Sequence, residues 1–330
     1  MKTDGSKKPD TEITVGKKQT AKEIDRKAEI DRIVSEKIKA LSKLRENAFI
    51  YPFLQGESIS IERSTVDDVY DDLRTKCKGD CSRIDVIVDS GGGQIDPAYN
   101  LALLFRRYAK KELNFIVPRW AKSAATLLVC GGNKILMTPV AELGPIDPQI
   151  TQMNMLDKRL ESFSPLHIQS TLSLIRDEFD KGHEKLARGL LERLQFPLTL
   201  GSFTKSIEVG QDYLRRLLST RMFEGKDKEK KADSIAKDLV RKYPDHGFCI
   251  EIDEAKTLGL AAELLPSKQL ELVWDIHKLN QEKIRIERKE RQEKMAEMIK
   301  NLPPEILESL PGNAAGAKPE QTPKTPSTRK

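Results

Sequence analysis

The chain has 330 residues, of which 38% are hydrophobic and 33% charged, and its formal net charge is +6. Both charge signs are abundant and aromatic residues make up only 5%, so the composition gives no basic, aromatic-rich stripe of the kind that binds nucleic acid. No segment reaches the ~18–20 apolar residues of a membrane span, and no apolar stretch follows the N-terminal lysines as in a secretory signal. These features favour a cytoplasmic protein without an integral membrane segment.

The two ends of the chain are more polar than its middle. Residues 1–19 lack hydrophobic periodicity, and residues 303–330 are rich in Pro, Gly, Ala, Thr and Lys, so both segments are predicted to be disordered. Residues 20–46 have the spacing of an amphipathic helix. Residues 266–302 predict a charged helix that packs on the body of the protein or on a partner chain. The apolar part between the two helices, residues 47–265, is the predicted folded domain.

Strand and helix patterns alternate in the first half of this domain. Strands are predicted at 48–51, 84–89, 114–118 and 134–138, and helices at 64–78, at 95–108 and in the run after Ser123. Such alternation predicts βαβ units and a mainly parallel sheet. The later pattern is helical at 166–179, 184–195, 205–222 and 230–242. A last strand is predicted at 248–252, followed by the helix start D-E-A-K-T-L-G-L at 253–260.

Three consecutive glycines, Gly91, Gly92 and Gly93, follow the predicted strand 84–89 and precede a helix. A phosphate-binding loop is excluded, because the Lys-Ser/Thr of a P-loop is missing and the spacing G-x-G-x-x-G fails at Asp96. Glycines let a carbonyl oxygen approach backbone N–H groups closely. The stretch is therefore either part of an oxyanion hole or a tight turn between strand and helix.

Ser123 opens the small, apolar run S-A-A-T-L-L-V. A serine at such a helix start is either an N-cap or a nucleophile whose oxyanion is held by N–H groups of the helix end. Loops that leave the carboxyl ends of parallel strands line one edge of the sheet. We therefore expect the glycine turn and Ser123 to face one cleft, an arrangement that suits acyl transfer.

Four strings occur in a fixed order: V-D-S-G-G-G-Q, A-K-S-A-A-T, A-E-L-G-P-I-D-P-Q and, from His246 to Leu260, H-G-F-C-I-E-I-D-E-A-K-T-L-G-L. Together they resemble the ClpP/crotonase superfamily of serine peptidases, and within it the SppA-like serine dehydrogenase proteinase group. The resemblance covers roughly residues 48–265. It implies an α/β fold, a ClpP/crotonase-like ββα-superhelix with a mainly parallel sheet, here flanked by N- and C-terminal charged helices.

The resemblance also implies a function and part of a site. The chain would be an ATP-independent serine peptidase with Ser123 as nucleophile, and the N–H groups of Gly93 and Ala124 would be the oxyanion donors. Its substrates would be peptides or unfolded proteins, and it would act as a homo-oligomer. Neither the family pattern nor the sequence indicates a PLP or nicotinamide site, so we predict no cofactor.

The general base is left open between a histidine and a lysine. The histidine that ClpP carries after its serine is missing here, and SppA relatives use a lysine instead. We rank His246 first, because it lies near the position of the ClpP catalytic aspartate. Lys205 is second, because it resembles a lysine in the long helix of the family. Asp147 could orient a base, although P-I-D-P is equally a rigid turn. Further candidates are Lys122, Lys181 and Lys185.

Two other functions remain open at this point. A crotonase-type acyl-CoA enzyme would use the same oxyanion donors but would need an acid/base carboxylate and a basic CoA site. A catalytically silent interaction module would dock partners through its charged helices, and the missing ClpP-type histidine supports it. His277, in the charged segment 266–302, is expected to be solvated. The C-K-G-D-C pair, Cys77 and Cys81, lacks a second pair and is weak evidence for zinc, so no metal is predicted.

Overall fold

The computed structural model describes residues 10–56, 59–77, 81–146, 150–153, 160–163, 165–193 and 200–303. The helices are α1 (Asp10–Leu44), α2 (Arg63–Lys76), α3 (Ile95–Tyr108), α4 (Ala124–Val129), α5 (Pro165–Asp180), α6 (Glu184–Arg193), α7 (Leu200–Leu217), α8 (Lys228–Arg241), α9 (Ile252–Thr257) and α10 (Ser267–Lys300). The strands are β1 (Phe49–Gly56), β2 (Cys81–Ser90), β3 (Ala109–Val117), β4 (Trp120–Ala121), β5 (Lys134–Met137), β6 (Glu142–Leu143), β7 (Ile150–Met153), β8 (Leu160–Phe163) and β9 (Ala262–Leu264). A π-helical turn, Leu218–Met222, continues α7.

Seven of the described strands form one sheet in the order β6-β4-β2-β3-β5-β9, with β1 also paired to β2. All of these pairings are parallel, whereas β7 and β8 form a separate antiparallel hairpin. The predicted α/β class with a mainly parallel sheet is therefore confirmed. The two-residue strands β4 and β6 were not predicted, because a strand of that length leaves no periodic pattern in the sequence.

The two faces of the sheet carry different layers of the core. Successive side chains of a strand point to opposite faces, and in β2 the alternation places Val86 and Val88 in the larger core cluster and Ile87 in the smaller one. Helices α2, α3, α4, α7 and α8 contribute to the larger cluster. The smaller cluster is completed by Leu41 of α1 and by Val273 and Ile276 of α10.

The flanking helices differ from expectation in two respects. Helix α1 begins at Asp10, so the prediction of disorder is wrong for residues 10–19; extending a formed helix adds one hydrogen bond for each further residue fixed. His277 of α10 is buried, not solvated, because it lies on the helix face that carries Val273 and Ile276. Residues 1–9 and 304–330, which complete the segments predicted to be disordered, lie outside the described residues, and the limits of the 47–265 domain stay a prediction.

The predicted strand at 248–252 is wrong. Ile250 alone makes an antiparallel bridge, to Leu143, and β9 occupies the sheet position next to β5 instead. The Glu251 side chain accepts hydrogen bonds from the backbone N–H groups of Asp253 and Glu254. This N-cap fixes the start of α9 at Ile252, so the segment makes one bridge and then enters the helix that the string D-E-A-K-T-L-G-L predicts.

Three further features complete the description of the fold. Cys77 and Cys81 form a disulfide with their Cα atoms 5.9 Å apart. Within the part of the chain that the structure describes, no helix combines the length and the apolarity needed to cross a bilayer. Contacts also divide the chain into two compact units, residues 1–281 and 282–330.

Asp85 of β2 is fully buried, and its carboxylate accepts hydrogen bonds from Arg45 at 2.7 Å and from Asn114 at 2.8 Å. Because Asp85→Ala leaves Arg45 and Asn114 without this acceptor, we expect it to lower the free energy of unfolding by about 3–5 kcal/mol, measured by urea denaturation. The control is Asp275→Ala, which removes a 52% exposed carboxylate that pairs with Lys37; it should cost less than about 1 kcal/mol. Equal losses in the two variants would contradict the prediction.

Candidate active site

The glycine turn and Ser123 leave neighbouring strands at the same edge of the sheet. Strand β2 ends at Ser90, β4 ends at Ala121, and these two residues are paired in parallel. The N–H of Lys122 donates to the Ser90 carbonyl at 3.1 Å, which continues the pairing by one step. The two segments therefore meet as the sequence predicts.

Gly92 lies where the two segments are closest, and there is no room for a side chain at this position. A Cβ atom at this position would lie 2.6 Å from the Lys122 carbonyl oxygen, 3.0 Å from Ser123 Cβ and 3.1 Å from Ala124 N. Its φ is +105°, a value that L side chains rarely adopt. Glycine is thus required here for two reasons, the backbone conformation and the close approach to the segment that carries Ser123.

Two backbone N–H groups next to this contact donate no hydrogen bond within the described part of the chain. Gly93 is exposed and is held from both sides, because Ile61 N–H donates to the Gly92 carbonyl at 2.8 Å and Gln94 N–H donates to the Ile61 carbonyl at 2.9 Å. Among the described residues, neither the Gly93 N–H nor the Ala124 N–H, at the start of α4, donates a hydrogen bond. Both remain available to an acceptor from outside the fold.

Ser123 has an unusual backbone conformation, with φ at 51° and ψ at −121°. A non-glycine residue in such a region costs on the order of 1–3 kcal/mol and is typical of functional sites. Its side chain makes no capping hydrogen bond, and no described residue bonds its Oγ, although the residue is only 9% exposed. The structure therefore does not support the N-cap alternative and leaves the hydroxyl group unengaged.

Thr126 fixes the turn after Ser123, and the sequence reasoning assigned it no role. Its Oγ1 donates to the Ala121 carbonyl at 2.6 Å and accepts from the Gly144 N–H at 3.0 Å. The residue is fully buried in α4. The signal that could have found it is a single hydroxyl group inside the otherwise apolar run A-A-T-L-L-V.

Lys122 joins three segments around the site. Its Nζ lies 2.9 Å from Glu142 Oε2, and it donates to the Leu143 carbonyl at 3.1 Å and to the Phe248 carbonyl at 3.3 Å. Lys122 and Arg119 lower the pKa of Glu142 to about 2, so this carboxylate stays ionised and its ion pair with the Lys122 ammonium group persists. With its three donors engaged, Lys122 is a poor candidate for the general base.

A comparison with known families bears directly on this site. The family model of the ClpP-like SDH-type serine proteinases matches residues 14–177, which include the glycine turn and Ser123. The chain belongs to this family. It is therefore a serine-type peptidase with a ClpP-like α/β fold, as the four sequence strings predicted.

Other similar proteins include two from Methanocaldococcus jannaschii. The uncharacterized protein MJ0137 is 26% identical over 250 residues, which are 73% of this chain and 77% of that protein. The uncharacterized protein MJ1495 is 26% identical over 193 residues, 58% of this chain and 56% of that protein.

Similar solved structures include a variant of the 1510-N membrane-bound stomatin-specific protease, at 15% identity with a TM-score of 0.42, covering 68% of this chain and 83% of that one. A variant of ClpP1 from Listeria monocytogenes has 14% identity and a TM-score of 0.36, covering 70% of this chain and 99% of that one. At these values the likeness carries no argument about the chemistry of this SDH-type proteinase.

The candidate bases of this SDH-type proteinase lie in different places. His246 is half-buried in the turn after α8, in which Gly247 N–H donates to Asp245 Oδ1 at 2.7 Å. The same turn contains the Phe248 carbonyl that binds Lys122, one residue before Ser123. Lys205 is exposed on α7. No hydrogen bond among the described residues joins either side chain to Ser123.

The remaining candidates add nothing to the site as it is described. Asp147 lies outside the described residues. Lys181 is fully exposed after α5, where Glu178 raises its pKa, and Lys185 is exposed on α6. The structure thus brings the segment of Ser123 and Ala124 next to the glycine turn and ties it, through Lys122, to the turn that contains His246.

The fit of Gly92 against Ser123 predicts that a single methyl group there disables the enzyme. We expect Gly92→Ala to slow labelling by a fluorophosphonate probe by about 100-fold or more, because it displaces the backbone that carries Ser123 and the candidate oxyanion donors. The rate of probe incorporation measures this directly.

Gly225→Ala is the matched control. Gly225 also has a positive φ, +88°, but no atom lies within 4 Å of a Cβ built there. The Gly225→Ala variant should therefore lose only about 1 kcal/mol of stability through backbone strain and should label at the wild-type rate. Similar labelling rates in the two variants would show that the close contact at Gly92 does not matter for the site.

Proposed function

We propose that this chain hydrolyses peptide bonds without ATP, through an acyl-enzyme on Ser123. The observation that supports the proposal is the close contact of Gly92 with the segment 122–124. No described residue bonds the Ser123 hydroxyl group, and the N–H groups of Gly93 and Ala124 donate no hydrogen bond among the described residues. An acyl-transfer site needs a nucleophile next to donors aimed at the oxygen that becomes negative.

The reaction follows from these positions. The general base takes the proton of Ser123 Oγ as the oxygen attacks the carbonyl carbon of the peptide, and the carbonyl oxygen becomes an oxyanion. The N–H groups of Gly93 and Ala124 donate to that oxyanion. The intermediate collapses when the protonated base gives its proton to the leaving amine, which leaves an ester on Ser123. Water, activated by the same base, then hydrolyses the ester and restores the hydroxyl group.

His246 is our first choice for the base. Its turn is tied to the backbone next to Ser123 through Lys122 and Phe248, and a further link joins Leu143 and Ile250, whose backbone groups exchange hydrogen bonds at 2.9 and 3.1 Å. Lys205 is the alternative. Its exposure on α7 counts against it, because a lysine acts as a base near neutral pH only when it is desolvated.

Two alternatives from other classes are less well supported. In a crotonase-type enzyme the strained Ser123 would have no catalytic role, since that chemistry uses an acid/base carboxylate instead of a nucleophile. A silent module would need neither the backbone strain at Ser123 nor the unused N–H groups. Membership of a serine proteinase family favours peptide hydrolysis over both.

We further propose that the protein is SppA-like in its chemistry, acts in the cytoplasm on peptides or unfolded proteins, and assembles from copies of itself. Support for assembly comes from large apolar side chains that are more than half exposed on α5 and α6: Leu174, Phe179, Leu186 and Leu191. Apolar surface of this kind is typical of sites of association.

The nucleophile is tested with Ser123→Ala. We expect this variant to lose fluorophosphonate labelling and to hydrolyse a fluorescent unfolded protein at least about 1000-fold more slowly than the wild type, because no other hydroxyl can form the ester. Ser219→Ala removes another buried serine, which lies in the π-helical turn after α7, and should behave as the wild type. Wild-type labelling no stronger than that of Ser123→Ala would overturn the proposal.

The base is assigned by the same assay. We expect His246→Ala to slow labelling by about 100-fold to 10,000-fold, the usual contribution of a general base, and Lys205→Ala to leave it unchanged. His183→Ala and Lys237→Ala are the controls, since both residues are exposed, His183 between α5 and α6 and Lys237 on α8. Slow labelling by Lys205→Ala, together with normal labelling by His246→Ala, would reverse the assignment.

A further inference from the structure

Helix α10 places a histidine directly behind the edge of the sheet that carries the candidate site. His277 is 6% exposed, and its Nδ1 lies 2.9 Å from Oδ2 of Asp89, which is completely buried. Gln281, one turn later, donates to the same oxygen at 3.1 Å. His277 Nδ1–H donates this hydrogen bond and the carboxylate oxygen of Asp89 accepts it. Asp89 immediately precedes Ser90, where β2 ends.

The same histidine also contacts the strand that leads to the nucleophile. The His277 ring stands perpendicular to the Trp120 ring, with centroids 6.4 Å apart, and stacks on Trp274 at 5.0 Å. Trp120 begins β4, three residues before Ser123. His277 therefore contacts both β2, which ends in the glycine turn, and β4, which ends at the nucleophile.

Backbone pairing alone gives these strand ends little support. The described residues pair β2 with β4 at Ser90 and Ala121, and one more hydrogen bond joins Lys122 N–H to the Ser90 carbonyl. The distance between Ser123 and the Gly93 N–H depends on this short junction. Because a misplacement of about 1 Å at reacting groups can cost on the order of 100-fold in rate, a second link between the strands has a catalytic consequence.

His277 cannot itself touch the substrate at Ser123. Along β2, Asp89 is on the same face as Ile87, whose cluster contains Val273 and Ile276 of α10. Ala124, the residue after the nucleophile, belongs to the cluster on the other face. Any effect of His277 on the reaction must pass through the strand ends. Helix α10 also lies beyond residues 14–177, the span of the family match.

We propose that His277 is a positioning residue. Through Asp89 and Trp120 it holds the ends of β2 and β4 in register, so that the Gly93 and Ala124 N–H groups meet the oxyanion that forms on the substrate's carbonyl oxygen when Ser123 attacks. Helix α10 is therefore part of the catalytic apparatus of this chain and not only a cover for the sheet. The inference rests on the proposed function, because it requires Ser123 to be the nucleophile.

The test compares His277→Leu with Val273→Ala in the full chain. Val273 is completely buried on α10, one turn before His277, and packs in the same apolar cluster without a polar contact to β2. For each variant we would measure the urea midpoint, the rate of fluorophosphonate labelling, and kcat and KM on a peptide substrate, under conditions in which the protein is folded. His277→Asn, whose amide can still donate to Asp89, is the conservative variant.

We expect His277→Leu to lower kcat and the labelling rate by about 100-fold with little change in KM, because misplaced donors act in the transition state. Val273→Ala should lower the urea midpoint but leave kcat near the wild-type value. His277→Asn should recover a large part of the lost rate. Should His277→Leu fail to fold, Gln281→Leu, which removes the second donor to Asp89, takes its place in the comparison.

Three results would overturn the inference. Wild-type kcat in His277→Leu would show that the histidine only docks the helix. Equal losses of kcat in His277→Leu and Val273→Ala would attribute the effect to general destabilisation. Absence of Ser123-dependent labelling in the wild type would refute the proposed function, and the inference with it; the first two results leave that function intact.

Discussion

The parallel pairing of β2 with β4 is the constraint on which the site depends. It makes two chain segments leave one edge of the sheet side by side, one towards the glycine turn and the other towards Ser123. At that separation a side chain does not fit between them, since a Cβ at Gly92 would meet the Lys122 carbonyl oxygen at 2.6 Å. The glycine therefore does more than allow a turn. It lets the backbone of the glycine turn lie against the segment that carries Ser123, and this contact can form only where the two strands are direct neighbours.

Such a contact leaves Ser123 in a strained conformation, and neighbouring polar groups hold it there. Thr126 bonds the Ala121 carbonyl before Ser123 and accepts a bond from Gly144, while Lys122 binds the 142–143 segment and the turn that follows α8. A strain on the order of 1–3 kcal/mol persists only when its surroundings over-determine it. These hydrogen bonds are directed away from the Ser123 hydroxyl, so they fix the backbone of the residue without engaging its oxygen.

The sequence predicts features that depend on neighbouring residues and misses those that depend on distant ones. The βαβ alternation, the helix Ile95–Tyr108 and the common edge of the glycine turn and Ser123 follow from local patterns, and the structure has all three. The pairing of Asp89 with His277 spans 188 residues, and no local pattern indicates which buried carboxylate a histidine will meet. The expected strand at 248–252 is only a single bridge at Ile250, because the Glu251 cap starts the following helix at Ile252.

The two buried carboxylates of β2 show how the second face of the sheet is specified. Asp85 and Asp89 flank Ile87 on one face. Asp85 accepts a hydrogen bond from Arg45, which follows α1, and Asp89 accepts one from His277 of α10. Replacing such buried pairs with apolar residues is often neutral or stabilising, so the two pairs are poorly explained as sources of stability. Apolar contacts with Ile87 would allow either helix to slide along the sheet, whereas a hydrogen bond to one carboxylate fixes one position. Asp89, the carboxylate nearer the candidate site, fixes the position of α10 and with it the contact between His277 and Trp120, which begins the strand before Ser123.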